Sequence, residues 1–445
     1  MSRIEERERR LAGVPSGRRR TLWQRLLHSP VSWLTVVLLP VYALLLWDQW
    51  RMFTVAKQYD DGTETLAFSV QTVQQAALLA LPTAAVYVAL FVWLDRFRPQ
   101  RPLVWLLTFG WGAAVSTWCS LHANTWIGQQ MATTAADADT GSRAAVFSAP
   151  FTEESTKATV LFLLVILLRR QIVSRLSVVT LAGLSAIGFA FVENIIYYGR
   201  VITYAVHDVS VANPEEAVRE LVLLRGVYTS FGHPLFTMMT ATGLVVGISA
   251  RSKIVRVTAP LGGFLLAVGG HMLFNGLAST RSPDQLVTQW IMALVLVGLI
   301  VVSLVVSVAQ QSRLLRHRLT DVREHGWLTE RDVELFSGPF RRMRYLWVAI
   351  WWGPKRWWYS VKLTRRVTEL AHLRSDLTRG LVGEGGMLRA HDLVEEIAQL
   401  RPKALDTTPG VRMFGWRKPR RRAITDAPPP AYPGPSGLGG NWPAP

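Results

Sequence analysis

Between Val31 and Ala309 the chain is a series of long apolar runs separated by short polar stretches. A helix needs roughly twenty apolar residues to cross a bilayer, and about eight runs approach that length. They are Val31–Trp47, Ala76–Leu94, Leu103–Ser120, Ala144–Leu168, Ser177–Tyr198, Gly226–Ala250, Val257–Ala278 and Leu286–Ala309. The first is short and the fourth and sixth are long, so their ends can shift by a few residues. The pattern predicts an all-α, polytopic membrane protein with about eight transmembrane helices. Past residue 312 it changes. Residues 313–402 are charged, with helical patterning around Leu328–Phe336 and His391–Leu400, and read as a cytoplasmic or interfacial helical region. Within it, Arg341–Trp347 and Trp351–Trp358 mix tryptophan with basic residues, a combination that favours the lipid headgroup layer. Gly353, Pro354 and the flanking charges leave too short a core there for a ninth span. Residues 403–445 are rich in Pro and Gly, carry a basic cluster at Arg417–Arg422 and read as disordered. The expected organisation is a basic arm over 1–30, a transmembrane domain over 31–312, the helical region and the tail. There is no internal repeat.

Charge gives these spans an orientation. One set of loops is short and basic: Arg96, Arg98 and Arg101; Arg169, Arg170 and Arg175; Arg251, Lys253 and Arg256. The alternate set is longer and acidic or neutral: 48–75 holds Asp48, Asp60, Asp61 and Glu64, 121–143 holds Asp137 and Asp139, and 199–225 holds Asp208, Glu215, Glu216 and Glu220. The positive-inside rule places the basic loops, both termini and the C-terminal region in the cytoplasm of a cell-membrane protein, and an even number of spans agrees. The same rule accounts for the net charge of +18 without nucleic acid, for which no binding motif is present. Half the residues are hydrophobic (50%), high for a soluble chain of 445 residues. The one cysteine, Cys119, cannot form an internal disulfide and reads as a packing residue. The first apolar run resembles a signal peptide, but Trp47-Asp48-Gln49-Trp50 follows it in place of a small-residue cleavage pattern, so it reads as an uncleaved span.

Four spans carry ionisable groups, which are costly in a bilayer and therefore mark function by default. In the fourth, Glu153 and Glu154 lie four and three residues before Lys157, on one helical face, just after Pro150. Adjacent carboxylates at a helix N-terminus suit a general acid or base, although a solvated interfacial cluster would look the same. In the fifth, Ala182, Ala186 and Ala190 form a close-packing stripe that leads to Glu193, for which a snorkelling carboxylate is the plainer alternative. The sixth carries the stripe Thr229, His233, Thr237, Ala241, and the seventh the stripe Gly263, Ala267, His271, Asn275. A lone histidine on such a face is more often a packing residue; two of them opposite two glutamate-bearing spans point to a site. With the topology taken from loop charge alone, Glu154, Glu193, His233 and His271 all fall about 8–12 Å below the outer boundary. Asn275 lies a turn shallower.

That donor set suits hydrolysis. A catalytic zinc takes about three His or Glu ligands and keeps a position for water. Glu193, His233 and His271 could hold Zn2+; Glu153 or Glu154 would then take the water's proton, Asn275 would hydrogen-bond the oxyanion, and Lys157 would offset negative charge. A transporter or channel also uses intramembrane carboxylates and histidines, but would spread them over several depths. A haem protein with His233 and His271 as axial ligands leaves the paired glutamates unexplained. The ordered set Glu153-Glu154-x-x-Lys157, Phe189-x-x-x-Glu193-Asn194, His233 and His271-x-x-x-Asn275 resembles the PrsW family of intramembrane metalloproteases, related to the CAAX-processing and bacteriocin-immunity membrane proteases. The resemblance covers about residues 144–278. It implies a polytopic peptidase whose glutamates and histidines bind metal or activate water. It also implies cleavage of a membrane-anchored protein substrate on its extracytoplasmic side, an anti-sigma factor in the best-known case, as part of regulated proteolysis. One departure is visible: the last motif is often His-x-x-x-Asp, and Asn275 cannot act as a base. Membrane protease folds also include catalytically silent scaffold members.

Overall fold

The computed structural model describes residues 23, 27, 29–58, 64–97, 100–134, 143–167, 175–205, 213–250, 252–278, 283–378 and 384–406. The predicted arm over 1–30, the tail beyond 406 and the loop residues Arg98, Arg169, Arg170, Arg251, Asp60, Asp61, Asp137, Asp139 and Asp208 lie almost wholly outside them. The described chain is helical apart from two-residue strands, β1 (Lys57–Gln58) and β2 (Glu64–Thr65), which pair antiparallel. Its described residues divide into two compact units, one ending at Leu304 and the other beginning at Val305.

The first unit holds the apolar helices. They are α1 (Pro30–Thr54), α2 (Val70–Leu94), α3 (Pro102–Gly110 and Thr117–Thr134, joined by π-helical Trp111–Ser116), α4 (Ala149–Leu167, after π-helical Ala144–Ser148), α5 (Arg175–Tyr204), α6 (Pro214–Leu223, followed by π-helical Leu224–Tyr228), α7 (Gly232–Ser249) and α8 (Lys253–Ala278). The start of α9 (Pro283–Glu324) completes it. Among the described residues, seven helical stretches are long and apolar enough to cross a membrane. The fourth predicted span is not among them, because α4 carries Glu153, Glu154 and Lys157. The chain is thus a multi-pass membrane protein, and the helix with the candidate chemistry is set apart from its spans by three charged residues. Side chains such as Val36, Leu44, Leu299 and Val302 are exposed, as apolar side chains facing lipid should be.

Helix ends differ from the apolar runs in informative ways. The last run continues without interruption into the charged sequence as far as Glu324, since nothing between 309 and 324 breaks a helix. The sixth run is two helices. Proline at 234 has no N–H to give the Ser230 carbonyl, and its ring crowds that position, so the helix breaks over Thr229–Phe231 and restarts at Gly232. His233 therefore sits in the first turn of α7.

The most enclosed span is α5. It packs on α2, α3, α4 and α7. Close approach to α3 depends on two glycines. A Cβ at Gly112 would lie 1.9 Å from the Ser185 carbonyl oxygen, and one at Gly188 would lie 2.1 Å from that of Phe109. Helices in lipid gain their association from such tight backbone contact. Ser185 also donates to the Lys157 carbonyl at 3.1 Å, which holds α4 against α5.

The second unit continues α9 and adds α10 (Glu330–Ser337), α11 (Pro339–Trp351), α12 (Pro354–Thr378) and α13 (Glu384–Leu400). It has its own core, with Leu319, Val333, Phe336, Tyr345, Ala349, Val367, Leu370 and Leu393 buried. A capping box at Thr329 and Asp332 starts α10. Arg401 bridges the same Asp332 at 2.9 Å, and Tyr345 donates to the Leu405 carbonyl at 3.1 Å. Burial alone would raise the Asp332 carboxyl, but the Arg401 guanidinium and the Thr329 donors hold it below the usual aspartate value. Burial pushes the Tyr345 phenol up to about 12. The helical region expected over 313–402 is thus a packed unit that reaches Leu405.

Candidate active site

Six of the seven residues singled out from the sequence form one continuous chain of polar contacts. Its centre is the Lys157 ammonium, which is fully buried. It donates to Glu153 Oε2 at 3.1 Å and Glu154 Oε1 at 3.0 Å, and meets His233 Nδ1 at 3.0 Å. Those contacts use its three protons, and its fourth side faces the Phe189 ring at 3.9 Å. A buried ammonium with every proton placed is compatible with a low-dielectric interior; an unpaired one is not.

The two adjacent glutamates have different surroundings. Glu154 is fully enclosed, and both its oxygens are engaged. Oε1 takes the Lys157 bond and the His271 Nδ1 proton at 3.1 Å, and Oε2 accepts from Thr237 at 2.8 Å. Glu153 keeps 6% of its surface open. Among the described residues hydrogen bonds reach only its Oε2, so Oε1 is available.

The histidines are held in defined tautomers by their partners. His233 accepts from Lys157 at Nδ1, so its Nε2 carries the proton and donates to Glu193 Oε2 at 2.8 Å. His271 donates from Nδ1 to Glu154, which leaves Nε2 with a lone pair. Phe236 stacks on the His271 ring with centroids 4.8 Å apart, and the two imidazoles meet edge to face at 5.5 Å. Glu193 in turn accepts from Arg225 at 2.5 Å. The same guanidinium donates to Asn194 at 2.9 Å and lies 3.9 Å from the centre of the Tyr197 ring.

One donor atom from each of Glu153, His233 and His271 lies within 4.8 Å of the other two, the one such group among the described residues. The sequence reading grouped Glu193 with the two histidines. In the structure Glu193 stands outside that group, held from the far side of His233 by Arg225, and Glu153 takes the inner place. Two imidazoles and a carboxylate are the donor set of a catalytic zinc. The Glu154–His271 hydrogen bond leaves Nε2 for a metal, as carboxylates paired to ligand histidines do. The residues present therefore fit a metal. Ligation through His233 requires one nitrogen to exchange its partner, Lys157 or Glu193. Asn275 is placed apart: half-buried, it donates to the Ala145 carbonyl at 3.1 Å.

Arg225 escaped the sequence reading, which assigned it to the loop 199–225. Its signal was legible, since it is the only charge between Leu221 and Phe231. Thr237 had been placed on the His233 stripe, but its bond to Glu154 requires the rotation of α7 against α4.

The fold and site define a polytopic helical membrane protein with a buried carboxylate–imidazole centre. Residues 100–306 match the family model described as PrsW family intramembrane metalloprotease. The match makes the chain a membrane-embedded peptidase with a membrane-embedded protein as substrate. The match is wider than the motifs at 144–278: it takes in α3 and the start of α9, and leaves α1, α2 and the C-terminal unit outside. No curated protein and no solved structure matched the chain.

Proposed function

We propose that the chain cleaves a membrane-anchored protein near the extracytoplasmic face, at a centre formed by Glu153, His233 and His271. The observation that carries this is the convergence of one donor atom from each within 4.8 Å, inside a helical membrane unit. The outward position is supported by the loop charges, which put these residues in the outer half of the bilayer. The family resemblance points to a single-span anti-sigma factor as the substrate.

Glu153, His233 and His271 would hold a zinc ion, which when bound supplies Lewis acidity to a water and to the scissile carbonyl. The protein's own groups divide the remaining work. Glu153 has one oxygen tied to Lys157, and its other, without a hydrogen bond among the described residues, is the one that would meet the ion; with no ion bound, that oxygen can take the water's proton. Glu154, with both oxygens engaged, orients His271. Glu193 orients His233, and Arg225 fixes Glu193. Lys157 holds both α4 carboxylates and steadies negative charge that develops beside them. Asn275 is a candidate donor to the substrate carbonyl at the rim, once released from Ala145.

Co-expression with a single-span substrate tests this. Glu153→Gln should lower cleavage by about 10²–10⁴-fold, the share of a proton-accepting carboxylate, and, where an ion is bound, should lower the metal content as well. Glu154→Gln should lower it by about 10–100-fold, as loss of a group that orients a ligand does. Unchanged cleavage in Glu153→Gln and in His271→Ala would refute the assignment. Elemental analysis should find stoichiometric zinc that His233→Ala loses; active protein free of metal would leave Glu153 acting on water without an ion.

A further inference from the structure

Outside the family match, the C-terminal unit carries a surface that its own core does not explain. Helix α11 is two-faced. Its inner side is closed, with Tyr345 at 1% and Ala349 at 0% exposure. Its outer side presents Phe340 at 70%, Trp347 at 61% and Trp351 at 76%, with Met343 and Ile350 between them. These positions recur at helical spacing, so the exposed aromatic residues form one stripe along the helix. Gly353, at φ +104°, then turns the chain into α12, whose first turn exposes Trp357 and Trp358. Apolar surface of this kind on a soluble unit marks a place where something else binds.

Charge indicates what binds. Pro339–Thr368 contains Arg341, Arg342, Arg344, Lys355, Arg356, Lys362, Arg365 and Arg366, and no acidic residue. Arg344, Lys355, Arg356 and Lys362 are exposed beside the aromatic stripe. Lys362 lies 3.6 Å from the centre of the Trp358 ring, so cation and aromatic face share one patch. Tryptophan flanked by cations suits the headgroup layer, where the ring sits at the boundary and the cation meets phosphate. Each basic residue near an anionic surface adds to the attraction. The unit is also covalently continuous with an apolar span through α9, so the bilayer is available to it at high effective concentration.

We propose that the outer face of α11 and the first turn of α12 form a docking surface for a bilayer containing anionic phospholipid. Phe340, Trp347 and Trp351 enter the acyl boundary, and Arg344, Lys355 and Arg356 meet the headgroups. The proposal does not depend on the hydrolytic centre.

The test uses the full chain in nanodiscs, with Cys119→Ser as background and one nitroxide-labelled cysteine at a time. Trp347→Cys and Trp351→Cys probe the face, and Gln399→Cys, exposed on α13, is the aqueous control. Collision with oxygen, which concentrates in lipid, is compared with collision with a polar nickel chelate. The expected result is an oxygen-to-nickel ratio at 347 and 351 severalfold above that at 399 in discs of phosphatidylcholine with phosphatidylglycerol. The ratio should fall in phosphatidylcholine alone and in Lys355→Glu/Arg356→Glu. Ratios at 347 and 351 equal to that at 399 would overturn the proposal. So would shielding from both reagents, which would mean that protein covers the face, or a ratio indifferent to lipid charge and to the double variant. Size-exclusion profiles matching the parent establish that each variant is folded.

Discussion

Lys157→Met removes one ammonium and leaves two carboxylates facing each other in a closed interior. The loss can be worked from the geometry. Lys157 lies 3.0 Å from Glu154 and 3.1 Å from Glu153, with no exposure at the lysine or at Glu154. At an effective dielectric near 20, each contact is worth about 5–6 kcal/mol of gross attraction. Most of that offsets desolvation, so the net cost is that of stripping the partner from a buried pair, about 3–5 kcal/mol. Whole domains are stable by only about 5–15 kcal/mol, so the variant should be close to unfolding. A change of 1 kcal/mol moves Tm by about 2–4 °C in a unit of 150–250 residues, which puts the expected drop at roughly 6 °C or more.

The assay is thermal unfolding of detergent-purified protein, read by loss of the monodisperse peak after heating. The informative comparison is a cycle with Glu154→Gln. If the ammonium holds the carboxylate, the double variant should be more stable than Lys157→Met alone, since it no longer strands a charge. A Lys157→Met protein with unchanged Tm would refute the reasoning, because it would mean the ammonium does not bridge the glutamates. A cycle with no coupling would refute it equally.

Other outcomes follow from single contacts. Arg225→Gln should lower cleavage by about 10–100-fold with normal expression, because Glu193 would no longer be fixed against His233, and Arg225→Lys should recover part of the loss; full activity in Arg225→Gln, measured as initial cleavage rate, would remove Arg225 from the site. Gly188→Ala should cost about 1–3 kcal/mol or more, seen as a lower Tm, since its Cβ would meet the Phe109 carbonyl oxygen at 2.1 Å. Asp332 has a folded pKa below its unfolded value near 3.9. Its contribution is therefore complete above that value and is lost as pH falls through the folded pKa. Limited proteolysis of the C-terminal region should show protection near neutral pH that weakens below about pH 4, and Asp332→Asn should remove that acid-dependent component.

The spans and the site residues differ in how far they could be read from the sequence, for physical reasons. Apolar length specifies membrane helices directly, so seven of the eight predicted spans have counterparts among the described residues, while the fourth, with its three charges, is a helix that falls short of that apolarity. Loop charge and helical rise predict one level for Glu154, Glu193, His233 and His271, and hydrogen bonds join the four through Lys157. The division of labour was not legible. Glu153 and Glu154 are neighbours in sequence, yet a rotation of about 100° around the helix gives one an open oxygen and the other a closed shell. Nothing in the local sequence encodes that difference, because it depends on where α7 and α8 bring Thr237 and His271. The break at Thr229–Phe231 was within reach, since Pro234 disfavours a continuous helix there. The second unit could not be derived from periodicity alone, as its buried polar contacts link residues far apart, such as Asp332 with Arg401.

The charges at the centre explain why so polar a site persists among apolar helices. Along the chain of contacts Arg225 meets Glu193, the neutral His233 links Glu193 to Lys157, Lys157 meets Glu153 and Glu154, and Glu154 meets the neutral His271. Each carboxylate meets a positive or proton-donating partner, which is what keeps its burial tolerable. The balance is nevertheless incomplete. Three carboxylates stand against two fixed cations, Lys157 and Arg225, so with both imidazoles neutral the centre carries one net negative charge. A site built only for packing would gain by losing that charge. Retaining it, with an open Glu153 oxygen and a His271 nitrogen bearing a lone pair, creates a place where a cation or a proton is drawn in, which is the condition for activating water inside a membrane.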